Sequence, residues 1–483
     1  MRFAYVVVAW LLLAGASMGV AASVPADQPA IPSQSGGPEY GMEVTRTYYL
    51  TPDEPGQIRI AIAYDAGLDS RAVGVYLPEN VTVEKNDGFE RDDNGNLIAR
   101  NDQHPRLTLS VPANETNARF GGSDFVDAGD WAFVSAYTYS GYWSEVTSQW
   151  ENEGESSRVD VTNTVAGEGY AGSRYAYFGP YEQETTLVNG QTFNVIVPDQ
   201  SKVAVSDRGP MDVLGPTARN YSVGSRPSQV NVFVAPDPVR RGGRATPVRL
   251  AGQQDLWVAA ANPTPRTLIH EYIHTRQDFR TTNETQWLLE GGAQYYDTVY
   301  GVRTGVIEYD TLKREFASTR YEDAVLADSE SWGETSRTVD YDKGGRVLAA
   351  LDHRIRTETD GKRTLMAVFA RLNDESKPVT LARFKSIVAD VAGTNLDDWL
   401  DRYVTTAASP SYPDDPNPSY YLDDTDLPVE KVAAPTEPTP TQSDPTPVRT
   451  EVATSNAAGP GFSVLVTLIA TAGLLIALAR SRG

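Results

Sequence analysis

The chain has no cysteine, little lysine and only four histidines, and each scarcity excludes something. Without cysteine there are no disulfides, no thiol chemistry and no lipidated N-terminal cysteine. Only eight of the 42 basic residues are lysine, and 64 acids outnumber them to leave a formal net charge of -22. A surface this acidic repels phosphate, so the sequence argues against a nucleic-acid partner. Acidity, arginine over lysine and no cysteine together suggest a protein kept soluble in high salt, as in a halophilic archaeon. The 483 residues suffice for two or three domains with substantial cores.

Two of the four histidines fall in one stretch, His270-Glu271-Tyr272-Ile273-His274, around which the rest is organised. Four residues of α-helix advance about 400°, so His270 and His274 project from one face a turn apart, as two nitrogen ligands of one metal require. Glu271 then sits beside the metal, placed to take a proton from zinc-bound water. Thr264-Pro265 supplies an N-cap and a first-turn proline, and no further proline or glycine occurs through Phe279. Leu268, Tyr272 and Ile273 would face the core. A second helix is expected to start near Thr285, with Asn283 as a possible cap. If the two helices pack antiparallel, Glu290 lies level with His274 and becomes a third ligand of a single Zn2+. A three-histidine variant would need Gly at 277 and His at 280, where the chain has Gln277 and Arg280.

These residues, in the setting Trp287-Leu288-Leu289-Glu290-Gly291-Gly292-Ala293, resemble the gluzincin metallopeptidases, which include thermolysin and the alanyl and glycyl aminopeptidases. Downstream, Tyr341-Asp342-Lys343-Gly344 resembles the Tyr-x-Lys-Gly of the aminopeptidase branches, and the segment from Phe384 to Val404 resembles their helical ends. The resemblance implies that the Tyr341 hydroxyl stabilises the tetrahedral intermediate. His353 is the one nearby histidine that could rival it as oxyanion donor, although a structural or surface role suits it better. The aminopeptidases also hold the substrate amine with a glutamate upstream of the zinc helix. Here no glutamate occurs between Glu184 and Glu271. Asp255 is the nearest acid that could substitute, against its plainer reading as a surface-strand residue.

In chain order, residues 1–22 carry Arg2, an apolar run from Phe3 to Leu13 and then small residues, the pattern of a signal peptide. Residues 23–42 read as a disordered lead-in. Residues 43–164 form a β-rich domain with short alternating runs such as Ile58–Ile62 and Leu107–Val111. Within it Asn94-Gly95 suits a hairpin turn better than a calcium loop, because Leu97 stands where such a loop needs glycine. The aromatics from Trp131 to Trp150 suit a core better than a sugar-stacking face. Residues 165–405 form the zinc peptidase domain. In it Thr192–Val197 and Val230–Val234 read as strands, a short helix runs from about Met211 to Tyr221, and a mostly helical part follows residue 285. Residues 406–460, rich in Pro, Thr and acids, read as a stalk that cannot bury a core. Residues 461–483 contain an apolar run from Phe462 to Ala479, eighteen residues long, with Arg480 and Arg482 behind it. That length spans a bilayer. Pro460-Gly461-Phe462 with this run also resembles archaeal sorting signals that an archaeosortase replaces with lipid. Sequons at Asn80, Asn114, Asn220 and Asn283 suit an exported glycoprotein.

The expected fold class is α+β multidomain, with an N-terminal β-sandwich-like domain, a thermolysin-like catalytic domain built on the zinc helices, and a helical C-terminal part. The expected function is a cell-surface, membrane-anchored zinc metallopeptidase acting on peptides or proteins. His270, His274 and Glu290 hold the metal, Glu271 is the general base and Tyr341 the oxyanion donor, while Gln294 could orient a ligand histidine. The alternatives are an aminopeptidase of the same clan, and an inactive surface-layer or adhesion protein.

Overall fold

A computed structural model describes residues 41–413 and Tyr421, apart from residues 79, 94, 136–137, 155, 202–208, 247–251, 261–263 and 334–337. The expected signal peptide, most of the lead-in, the stalk beyond Tyr421 and the apolar C-terminal run lie outside the described residues. Among the described residues no helix is long and apolar enough to cross a membrane.

The N-terminal part opens with β1 (Met42–Leu50), β2 (Gln57–Ala66), β3 (Ser70–Tyr76), β4 (Thr82–Asp87) and β5 (Glu90–Arg91). Next come β6 (Leu97–Arg100), β7 (Arg106–Pro112), β8 (Glu115–Thr116), β9 (Ser123–Asp127) and β10 (Ala132–Ser135). It closes with β11 (Tyr139–Ser144), β12 (Gln149–Asn152), β13 (Val159–Val165), β14 (Gly169–Ala171) and β15 (Tyr175–Phe178). They form three five-stranded sheets, ordered β13-β1-β2-β7-β4, β12-β11-β3-β6-β5 and β14-β15-β10-β9-β8. Alternation in the sequence becomes alternation in burial: Ile58, Ile60 and Ile62 of β2 are fully buried against Val73 and Val134 from the other two sheets. One core is therefore shared by three sheets, where a simple sandwich has two. Between β5 and β6, Gly95 turns with a φ of 83° and the Asp92 side chain accepts from the Asn96 amide at 2.8 Å, so the hairpin reading holds there.

A second sheet system begins with β16 (Tyr181–Val188) and β17 (Gln191–Pro198), followed by α1 (Pro210–Asn220), β18 (Gln229–Ala235), β19 (Gly243–Ala245) and β20 (Gln253–Ala259). The order is β16-β17-β18-β20-β19. β17, β18 and β20 run parallel, and β19 lies antiparallel on the edge. Parallel neighbours need crossovers, and α1 supplies the one between β17 and β18. The two parts meet through aromatic rings: Phe133 packs on Phe233 at 5.4 Å and on Trp257 at 6.4 Å between centroids. Of the aromatic stretch that begins at Trp131, Trp131 and Phe133 are thus core material at this junction and Tyr142 is buried in the first core, whereas Trp143 and Trp150 are half-buried and edge-on to each other at 6.0 Å.

Asp255 corrects an expectation. It is fully buried rather than on a surface strand, and it accepts hydrogen bonds from the backbone amides of Ser173, Arg174 and Tyr175 at 3.0, 2.6 and 2.9 Å. Asn231 donates a fourth at 2.8 Å. A buried carboxylate is tolerable only when its oxygens are satisfied in this way, and none of its capacity is left for a substrate amine. Its work is to fasten the start of β15 to the second sheet.

The helical part comprises α2 (Pro265–His274), α3 (Trp287–Arg303), α4 (Tyr309–Phe316), α5 (Val339–Glu358), α6 (Leu365–Asn373), α7 (Leu381–Ala392) and α8 (Asp397–Val404). Leu348, Leu351, Ile355, Leu365, Val368 and Leu372 are all buried, as their helical spacing predicts. The stalk expectation fails at its start. Tyr412 and Tyr421 are buried in the helical core, hydrogen-bonded to each other at 2.7 Å, with Tyr412 packed on Phe316. Two tyrosines among prolines and acids carry too little weight in a composition average to show this.

Candidate metal centre

α2 starts as the sequence predicts: the Thr264 side chain accepts from the Thr267 amide, and Pro265 occupies the first turn. It ends earlier, at His274, rather than reaching Phe279. Two features stop it. The Thr275 hydroxyl bonds the Tyr272 carbonyl at 2.7 Å. The fully buried Arg276 turns away to the carbonyls of Ser225 and Gly224, at 2.7 and 3.0 Å. Gly224 has a φ of 71°, and a Cβ there would lie 2.0 Å from the Arg276 carbonyl oxygen. α3 begins at Trp287 without a side-chain cap, so Asn283 does not cap it.

The three residues expected to bind metal meet. His270 Nε2, His274 Nε2 and Glu290 Oε2 form a triangle with every side 3.2 Å. The other imidazole nitrogens are spoken for. Asp297 Oδ2 lies 2.7 Å from His270 Nδ1. Gln277 donates its amide to the Leu289 carbonyl at 2.9 Å, which turns its oxygen to His274 Nδ1 at 2.8 Å. With both Nδ1 atoms facing acceptors, both Nε2 atoms present lone pairs to one point. Tetrahedral zinc with bonds of about 2.0–2.1 Å keeps its ligands about 3.3 Å apart, so this donor set fits one zinc ion and leaves a fourth vertex.

The residues that orient the histidines differ from the expectation. Gln294 lines the cavity, but Asp297 and Gln277 make the contacts to the rings. Asp297 stands two turns beyond Glu290 on α3, on the same face, a spacing visible in the sequence. Its other oxygen accepts from Arg266 Nε at 2.5 Å, and Arg266 continues to Glu315 at 2.7 Å and Thr298 at 2.6 Å.

Glu271 is buried beside the ligands, and burial raises its carboxyl above the ordinary range against the pull of His270 and His274. The edge strand β19 comes so close that a Cβ on Gly243 would lie 2.7 Å from both Glu271 Cγ and Oε1. Only glycine fits there.

Tyr341 lies at the start of α5 with its ring stacked on His270, centroids 5.4 Å apart and planes 9° from parallel. Burial and the Glu290 charge hold its hydroxyl well above its usual pKa, so it is a neutral donor. Its placement depends on glycines at the α3–α5 crossing. A Cβ on Gly291 would meet the Gly344 backbone at 3.0 Å, and one on Gly344 would meet Gly291 Cα at 3.2 Å. The two glycine-bearing motifs thus touch each other. Lys343 has no part in the chemistry: it is fully buried and donates to the carbonyls of Glu322, Ala324 and Ala407. His353, half-buried on α5, is outside the cluster.

The β-rich part also reaches the site. The turn between β8 and β9 presents Arg119, whose guanidinium lies 5.3 Å from the Tyr341 ring centroid and bonds Asp340 at 2.6 Å. It also presents Phe120, edge-on to Tyr341 at 6.5 Å. Burial, opposed by Arg119, pushes the Asp340 carboxyl up to about 6. A cavity of about 350 Å³ opens in front of the cluster, lined by Phe120, Arg241, Gly243, His270, Glu271 and Tyr341 among others.

No family model matches the chain, and no curated protein matches it in sequence. Its fold is similar to that of an aminopeptidase N family protein from Idiomarina loihiensis, at 12% identity over 77% of each chain with a TM-score of 0.52. An M1 zinc metallopeptidase from Deinococcus radiodurans aligns at 15% identity over 78% of this chain and 97% of that one, with a TM-score of 0.48. Legionella pneumophila aminopeptidase A aligns at 14% identity over 78% of this chain and 50% of that one, with a TM-score of 0.43. The first of these supports a shared fold: a multi-sheet β part followed by a helical part.

Proposed function

We propose that the protein is a zinc-dependent peptidase. The observation that carries this reading is the triangle of His270, His274 and Glu290 with the buried carboxyl of Glu271 beside it, at the wall of a cavity large enough for a peptide segment. A zinc ion held by those three residues supplies Lewis acidity, acidifying water and polarising a carbonyl. Glu271, already raised by burial, accepts the proton of the attacking water and passes it to the leaving amine. The Tyr341 hydroxyl, protonated at any pH near neutral, donates to the developing oxyanion. Asp297 and Gln277 hold the ligand rings in orientation while charge moves.

The fold likeness to an aminopeptidase N family protein favours removal of N-terminal residues. The commitment of Asp255 to backbone amides, together with the absence of an upstream glutamate, favours cleavage within chains. Export and surface attachment rest on sequence pattern alone, the apolar run with small residues in 1–22 and the apolar run with trailing arginines in 462–483.

The test is cleavage, in high salt with zinc assayed in the same sample, of two peptides identical except for N-terminal acetylation, by wild type and by Glu271→Gln. The expected outcome is stoichiometric zinc in both proteins and cleavage only by wild type. Cleavage of both peptides identifies an endopeptidase, and cleavage of the free-amine peptide alone an aminopeptidase. Undiminished activity in Glu271→Gln would remove it as the base. Absence of both zinc and cleavage would favour the binding-protein alternative.

A further inference from the structure

The charges around the cavity are unequal in a way that the metal chemistry does not require. Among the described residues two acids line it: Asp297, bonded to His270 and Arg266, and Glu271, buried beside the metal-binding histidines. Asp340, just outside, is held by Arg119. Besides Arg266, three arginines approach the same mouth. Arg119 is paired with Asp340, and Arg240 is paired with Asp124 and donates to the Gly243 carbonyl at 3.1 Å. The third, Arg241, is exposed at the cavity wall on the approach to β19, and its guanidinium has no hydrogen bond or ion pair among the described residues. In a chain where acids outnumber bases 64 to 42, an arginine left uncompensated at the mouth of a cavity is against the general composition.

We infer that Arg241 forms a carboxylate-binding subsite of the cavity, so that the site selects peptides carrying an acidic side chain or a free C-terminal carboxylate near the cleaved bond. This rests on the peptidase reading for its substrate class, but the recognition is a separate physical claim. A guanidinium presents a planar fork that matches a carboxylate with two parallel hydrogen bonds. Phe120 lines the same cavity, 42% exposed, with the guanidinium carbons of Arg119 and Arg240 5.2 and 5.3 Å from its ring centroid, and its free part offers an apolar surface for the stem of such a side chain. A cationic ammonium at the same place would meet the like charge of Arg241.

Binding reads the inference independently of turnover. The full chain carrying Glu271→Gln, loaded with zinc, is titrated calorimetrically with a doubly blocked neutral peptide containing Gln. Companion peptides have Gln replaced by Glu at successive positions, Gln replaced by Lys, or a free C-terminus. At least one carboxylate-bearing peptide is expected to bind about fivefold more tightly than its neutral counterpart, the upper range for an exposed charge pair. The advantage should shrink as salt rises. It should vanish when Arg241→Gln is added and return in part with Arg241→Lys. An advantage confined to the free C-terminus identifies the terminal carboxylate as the group recognised, and one confined to internal Glu identifies the side chain; either supports the subsite. Equal binding of all peptides, binding of none, or an advantage that survives Arg241→Gln overturns it. Turnover by the zinc-loaded wild type is read separately. No cleavage with the Glu advantage intact would refute the peptidase reading and leave the carboxylate site standing.

Discussion

Removing Asp297 tests whether the centre is a metal site or a cluster of hydrogen-bonded side chains. Its Oδ2 receives His270 Nδ1 at 2.7 Å, and its Oδ1 joins the ring to Arg266. Asp297→Asn keeps an oxygen able to accept from Nδ1 but loses the charge that makes the imidazole a stronger ligand, whereas Asp297→Ala loses both. Partners of this kind typically contribute 10- to 100-fold in metal affinity, which is roughly 1.4–2.7 kcal/mol. We expect Asn to weaken zinc binding about tenfold and Ala nearer a hundredfold, in proteins that stay folded because Arg266 keeps its bonds to Glu315 and Thr298. The assay is competition for zinc with a chelator of known affinity near neutral pH, alongside circular dichroism. Zinc affinity within twofold of the parent in both variants would refute the orienting role.

Three further outcomes follow from the same geometry. Gly243→Ala puts a methyl group 2.7 Å from Glu271 Cγ, so activity should fall at least tenfold with zinc content unchanged, the loss expected from misplacing a proton-transfer group; wild-type rates would contradict this. Asp255→Ala leaves the amides of Ser173, Arg174 and Tyr175 without their acceptor and should cost about 3–5 kcal/mol of stability, measured by urea unfolding. A loss below about 1 kcal/mol would mean that this link holds little of the junction. In chelated protein, burial alone would lower the His270 pKa, but Asp297 and Glu290 outweigh it and raise it to about 10. The proton therefore stabilises the fold fully below the unfolded value near 6.5, and that contribution is lost as pH rises toward 10. The melting-temperature gap between zinc-loaded and chelated protein should widen over that interval, and a constant gap would contradict the assignment.

The sequence made the centre of the molecule legible because its chemistry is local. His270 and His274 are tied by one helical turn, and Glu290 by the turn between two packed helices. The strands at 192–197 and 230–234 and the helix at 211–221 were readable for a similar reason, since their periodicity reports burial directly. What escaped was set by long-range partners. Asp255 looks like any strand acid until the amides 80 or more positions away in the chain are brought onto it. Gln277 shows its meaning only once Leu289 fixes its amide, and Arg119 only once the turn between β8 and β9 is folded against Tyr341. Tyr412 and Tyr421 were hidden by the composition around them. Asp297 is different, because an acid seven residues after a ligand glutamate lies on the same helix face and was available to inspection.

The most direct measurement is anomalous diffraction from a crystal of the protein, with data collected on both sides of the zinc absorption edge. One peak is expected in the catalytic part, present only above the edge, bonded to His270 Nε2, His274 Nε2 and a Glu290 oxygen. No peak at that position in protein grown with zinc, or a peak held by other residues, would contradict that expectation.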